Sequence, residues 1–274
     1  MCQRLADINP TLAAIVASNV GGEPIEEQSI NKPTEADLAI PPSQGISQAE
    51  FIPKVPTIAT RKIAILLPDG YDQSAMDHIY AAIAATGAIP MIVSARRGVV
   101  NPDPNSASAT PSSSKNGWRA SHNFEGIRST LVDAVLIPPM NPAAAKSLQA
   151  SGRALHFIRE AFGHLKPIGA LGNSAVTLLR DHALSDLKSP SLTAPAPGTT
   201  STRTSLLEFS GGADAVISYG VVTQERFDSA SEGFGEKWKM AKDEVSFIGK
   251  FFYQISQHRC WERELDGLAD RVPF

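Results

Sequence analysis

Residues 61–98 read RKIAILLPDGYDQSAMDHIYAAIAATGAIPMIVSARRG, and their pattern decides the architecture. Lys62–Leu67 (KIAILL) is a short, almost unbroken apolar run. A strand with one wet face would alternate polar and apolar residues; this one reads as covered on both faces, as in a parallel sheet. Asp72 then offers a side-chain acceptor to the first free amides of a helix. Met76, Ile79, Tyr80 and Ile83 share one face of that helix, which Gly87 ends. Ile89–Val93 (IPMIV) supplies a second strand.

The same alternation continues downstream. Asp133–Ile137 (DAVLI) reads as a third strand, closed by Pro138-Pro139. One helix follows, with Leu148, Leu155, Ile158, Phe162 and Leu165 on a single face. Ile168–Leu171 (IGAL) is a fourth strand, and Ala175–Arg180 starts another helix. Ala215–Ile217 and Val221–Thr223 supply the last strand material. A final amphipathic helix runs through Trp238, Ala241, Val245, Ile248, Phe252 and Ile255. Residues 101–116 and 185–205 are rich in Ser, Thr, Pro and Asn and read as loops, and Trp118–Phe124 suggests a short antiparallel pair. About five strands alternating with helices over ~210 residues predict an α/β fold: a flavodoxin-like, doubly wound, mostly parallel sheet spanning 61–274.

Upstream the pattern changes. Residues 1–20 carry Leu5, Ile8, Leu12, Ile15, Val16 and Val20 on roughly one helical face, with Pro10 forcing a kink or two short pieces. Residues 21–60 contain Pro24, Pro33, Pro41, Pro42, Pro53 and Pro56 and few apolar clusters, which predicts an extended linker.

Composition narrows the function. A formal charge of −3 over 274 residues argues against a nucleic-acid partner. No apolar run reaches the length of a membrane span, so no membrane partner is expected. Cys2 and Cys260 stand near opposite ends of the sequence, and His78, His122, His156, His164, His182 and His258 form no close pair. No metal is therefore expected. Gly233-Phe234-Gly235 lacks the third glycine and preceding strand of a dinucleotide site and reads as a loop.

Three stretches together resemble the C-terminal region of the large-subunit catalases: CQRLADINPTLAAIVASNVGGEP (2–24), the run 61–98, and QISQHRCWERE (254–264). The resemblance implies that 1–20 is a remnant of the catalase helical region, 21–60 a linker, and 61–274 a domain of the class I glutamine amidotransferase-like superfamily. Active members place a cysteine on a sharp turn after a strand, where a helix N-terminus favours the thiolate. The matching run here is Ile168-Gly169-Ala170-Leu171-Gly172-Asn173-Ser174-Ala175, so the nucleophile position falls on Gly172. The partner acid position falls on or beside Ala75, and both are chemically empty. A cysteine restored at Gly172 is expected to be acidic.

Asp69, Asn141, Asn173 and Ser174 remain as candidates to line a crevice at the strand ends. Ser174 is expected to cap the next helix; a grouping with Asp181-His182 is the alternative. None of Tyr71, Tyr80, Tyr219 and Tyr253 sits in an Arg-x-x-x-Tyr haem-ligand setting, so haem is expected in the parent and no cofactor in this chain. The resemblance implies a non-catalytic domain of a peroxide-decomposing parent. Its expected partners are the parent's other domains, neighbouring subunits and, as an ATP-independent chaperone, partly unfolded client proteins. A cryptic hydrolase or a small-ligand-binding domain is the competing reading. The compartment stays open, cytoplasmic or secreted with the parent.

Overall fold

The computed structural model describes residues 5–6, 9–22, 57–106, 117–187, 207–226, 240–242 and 245–272. The chain divides into two units, Met1–Pro53 and Lys54–Phe274. In the first, a helical piece at Leu5-Ala6 precedes α1 (Pro10–Asn19). Asn9 caps α1 through its side chain, 3.0 Å from the Leu12 amide, and Pro10 occupies the first turn, where its missing N–H costs nothing. The proline thus starts a helix rather than kinking one. Residues 23–56, most of the expected linker, lie outside the described residues.

The second unit is built on a seven-stranded sheet. Its elements in chain order begin with β1 (Lys62–Leu66), α2 (Gln73–Ala85), β2 (Ile89–Ser94), β3 (Gly98–Val100), β4 (Trp118–Ala120), β5 (His122–Asn123) and β6 (Ala134–Ile137). There follow α3 (Pro142–Ala150), α4 (Gly152–Gly163), β7 (Ile168–Leu171), α5 (Asn173–Leu178), β8 (Val216–Ser218), β9 (Val221–Gln224), α6 (Phe247–Ser256) and α7 (Glu262–Leu265). The order across the sheet is β5-β2-β1-β6-β7-β9-β8, and every pairing is parallel except β8 with β9. β1 has parallel partners on both sides, as its apolar run requires.

Alternation along β1 divides the core. Ile63 and Ile65 pack with Met76, Ile79 and Ile83 of α2 and with Phe247 and Phe251 of α6. Ala64 and Leu66 face the other way, toward Leu148 of α3, Ile158 and Phe162 of α4 and Val176 of α5. The closeness of α6 to the sheet is set at Gly169 of β7. A Cβ there would come within 3.0 Å of Phe247 Cζ and Phe251 Cδ2 and 2.9 Å of Leu136 Cδ1.

Four expectations change. The single helix expected after β6 is two, because the Ser151 hydroxyl caps a new start at the Ala154 amide (3.2 Å). The last helix starts only at Phe247, where Ser246 caps the Gly249 amide; Val245 and Ala241 precede it, and Trp238 lies outside the described residues. Seven strands replace five: the last strand material at 215–217 and 221–223 forms two strands, β8 and β9, and the two-residue β5 adds one more. Within 118–124, β4 pairs antiparallel with β3, but β5 joins the main sheet in parallel.

At the amino edge of β7, Lys166 is buried, its ammonium donating to the carbonyls of Ser129 and Val132 (2.7 Å to the latter). Burial, with Arg259 nearby, pulls its pKa down to about 8. Between about pH 8 and the ordinary lysine range the unfolded chain holds this proton and the folded one does not, so stability should climb with pH across that window. The climb should approach 2–3 kcal/mol, since each tenfold loss of proton affinity on folding is worth about 1.4 kcal/mol. Lys166→Met should abolish it, and chemical denaturation of both chains from pH 7 to 10.5 checks this; parallel curves would refute it.

Candidate functional site

The carboxyl ends of β1, β6 and β7 converge on the turn Pro138-Pro139. Beyond β1, the Asp72 amide donates to the Pro139 carbonyl (2.9 Å), while the Asp72 carboxylate caps α2 at the Ala75 amide (2.8 Å). Ala75 is fully buried. Beyond β7, Gly172 has φ +88° and ψ 150°, a combination reserved for glycine. Its amide donates to the Gln224 carbonyl (2.8 Å), and a Cβ on it would stand 3.2 Å from Pro139 Cβ and 3.3 Å from Pro139 Cα. The direction a nucleophile would take is filled by proline.

Restoring the thiol is therefore costly. A cysteine at this φ would be strained and packed on Pro139, whatever its acidity. Gly172→Cys should lower stability by about 1–3 kcal/mol. A thermal melt within ~0.5 kcal/mol of the unsubstituted chain, a shift typical of innocuous surface changes, would show that the turn relaxes freely.

Asp69 lies after β1 but is committed elsewhere. It pairs with Arg96 (2.7 Å) and accepts from the Asn101 amide (2.8 Å) and side chain (3.2 Å). The Arg96 guanidinium holds its carboxyl below the usual range against the opposing effect of burial. Asn141 is equally engaged: its oxygen caps α3 at the Ala144 amide (2.9 Å) and its nitrogen donates to Asp103 (3.1 Å). The Asn141 amide closes the turn on the Gly70 carbonyl (3.0 Å). Gly70 has φ +93°, and a Cβ there would fall 2.8 Å from the Asn141 side-chain nitrogen, so only glycine fits.

Asn173 and Ser174 line a groove of about 320 Å³ with Lys146, Thr177 and His182. Ser174 does not cap α5: the cap position is Gly172, with no side-chain bond, and Ser174 sits one residue inside the helix. Asp181 pairs with Arg180 (3.2 Å), and among the described residues no hydrogen bond joins Ser174 to His182.

Other buried polar groups gave no sequence signal. The Tyr71 hydroxyl donates to Gln73 (2.8 Å) and accepts from the Trp118 amide (3.0 Å), and burial pushes its pKa up to about 12. Asp77 accepts from the Gln73 side-chain Nε2 (2.7 Å) and the Trp118 indole (2.9 Å). Asp103 is held low by the Asn105 amide and Asn141, while burial pushes the Cys260 thiol up. The shifts at Tyr71, Asp103 and Cys260 fix those three groups in one protonation state near neutrality, the opposite of a poised acid or base. Three of the four tyrosines are engaged within the domain. Tyr71 is spent as described, Tyr80 stacks on Trp118 (4.3 Å) and the Tyr219 hydroxyl donates to Asp266. No group of three His, Cys, Asp or Glu that could hold a metal occurs among the described residues.

A doubly wound, mostly parallel sheet with a strand–turn–helix at its carboxyl edge defines a flavodoxin-like α/β domain. The chain belongs to the family of C-terminal domains found in long catalases, whose profile matches residues 59–234. It is 41% identical to Catalase-1 of Neurospora crassa over all of this chain and 32% of that protein. It is 37% identical to Catalase A of Emericella nidulans over 99% of this chain and 32% of that protein. The chain thus spans about a third of the length of the curated relatives it matches. Among solved structures, a ThiJ/PfpI domain protein from Brachyspira murdochii aligns over 73% of this chain and 95% of its own at 11% identity, TM-score 0.46. Oxidized DJ-1 of Toxoplasma gondii aligns over 75% and 98% at 15% identity, TM-score 0.46. The fold stands on the strand order, independent of these two.

Proposed function

We propose that this chain is a non-catalytic module of a haem catalase that decomposes hydrogen peroxide. In the parent it stabilises the tetramer by packing against the other domains and neighbouring subunits; in isolation it holds partly unfolded proteins without ATP. One observation carries the reading. Helix α1 buries its small residues, Ala13 and Ala17, and turns its large apolar ones to water, Leu12 at 47% and Ile15 at 53% exposure. A self-sufficient helix does the reverse, so this face suits an apolar surface supplied by another polypeptide. The filled turn at Gly172 and the committed carboxylates favour binding over chemistry.

Deleting residues 1–20 should reduce the capacity to hold a heat-stressed client by half or more while leaving the circular dichroism of the remaining chain unchanged. Equal protection by the shortened chain would remove α1 from the account. An ester-hydrolysis assay runs beside it, and turnover lost in Ser174→Ala would favour the hydrolase reading of the 320 Å³ groove instead.

A further inference from the structure

A second cavity, of about 330 Å³, opens against the β8–β9 hairpin and the tail, and shares no lining residue with the groove at Asn173 and Ser174. The turn between those strands is Tyr219-Gly220, both with positive φ (48° and 71°), as a two-residue type I′ turn demands. Gly220 and the buried Cys260 close the cavity on its inner side, and Trp261, 62% exposed, stands at its mouth. Among the described lining residues the charge is unbalanced: Lys242 and Arg259 against the carboxylate of Glu262. Arg259 is fixed in place by the His164 carbonyl (3.2 Å).

A third cation lies behind the inner wall. Arg263 is fully buried, and all its hydrogen bonds go to backbone carbonyls, those of Tyr219, Phe162 and Lys166. Among the described residues it has no carboxylate partner, and its Nη2 is buried without an acceptor. That nitrogen would lie 3.1 Å from a Cβ on Gly220, and the same Cβ would overlap Cys260 Sγ. The guanidinium therefore sits directly behind the two residues that wall the cavity. A buried charge is screened far less than a surface one, so its field extends into the cavity and adds to that of Lys242 and Arg259.

We propose that this cavity binds a small aromatic anion, its ring against Trp261 and its charged group between Lys242 and Arg259. The volume suits a one-ring molecule, the low end of ligand pockets. The tyrosines at 219 and 253 and the indole supply a flat apolar surface, and the charge imbalance selects the sign. The proposal is independent of client holding.

Benzoate is the probe, titrated into the full chain by calorimetry, with benzyl alcohol as the uncharged analogue of the same ring. Benzoate should bind at one site per chain, at least ~10-fold more tightly than benzyl alcohol. The double substitution Lys242→Gln/Arg259→Gln should weaken benzoate by a further ~10-fold and leave benzyl alcohol unchanged. Lys146→Gln, in the other groove, should alter neither. Equal affinity for the two probes, no binding of benzoate at millimolar concentration, or benzoate binding that survives the double substitution would each overturn the proposal.

Discussion

Arg263→Met is expected to destabilise the Lys54–Phe274 unit by about 2–4 kcal/mol. The side chain ties three segments together. Its Nε donates to the Tyr219 carbonyl in the β8–β9 turn (2.6 Å), and its Nη1 to the Phe162 and Lys166 carbonyls at the end of α4 (3.0 and 2.9 Å). The guanidinium also lies 4.2 Å above the Phe162 ring. Burial draws the Arg263 pKa down to about 10, yet a guanidinium stays charged at any working pH, so the chain bears a real desolvation cost. Methionine relieves that cost but strands the carbonyls of Tyr219 and Lys166, while that of Phe162 keeps the Leu165 amide (3.0 Å), at about 1–3 kcal/mol for each one unpaired. The stranded carbonyls outweigh the relief. Arg263→Lys should recover less than half, because one ammonium on a flexible stem cannot span three acceptors as a planar fork does. Guanidinium unfolding of the three chains decides it. A loss under ~1 kcal/mol for Arg263→Met, within the range of a single ordinary hydrogen bond, would show that the tail is held by something else.

Gly220→Ala should cost about 3–4 kcal/mol from two separable causes. The residue has φ +71°, where an L side chain adds roughly 1–2 kcal/mol. The new methyl would also overlap Cys260 Sγ and stand 2.8 Å from Cys260 Cβ, so the turn and the tail must part to admit it. Cys260→Ala alone removes one buried sulfur, a loss of about 1 kcal/mol. If the clash is the larger cause, the double variant should be no less stable than Gly220→Ala alone, a coupling of about 1–2 kcal/mol. Strict additivity across the cycle would place the whole cost in the backbone.

The strands that organise the sheet were legible because each is a continuous apolar run. KIAILL, IPMIV, DAVLI and IGAL all reappear as parallel strands within a residue or two of their expected ends. What escaped was set by short-range capping or by chain pairing too brief to show periodicity. Leu148 to Leu165 keeps helical spacing straight through Ser151, so spacing alone could not show the break; the Ser151-Gly152 pair was the available signal. Ser246 similarly marks where α6 starts, although the apolar stripe runs on upstream of it. The tight turn after β7 is where Gly172 was placed, but its obstruction by Pro139 is a contact between distant segments with no local signature. Arg263 was the least readable. It stands in Trp-Glu-Arg-Glu, a run that looks solvated, and only the fold brings three carbonyls to it.

An apolar surface, and not chemistry at the vacated turn, is what we take this domain to work through. Light scattering of a thermally aggregating client protein is the decisive experiment, with the full 274-residue chain added at increasing molar ratio and no nucleotide present. Scattering should fall in proportion to added chain and approach completion at a few-fold excess. Raising the salt should change it little, because an apolar contact is not screened as an ionic one is. Unchanged client aggregation at several-fold excess would contradict this reading and leave only the proposed structural role within a parent catalase.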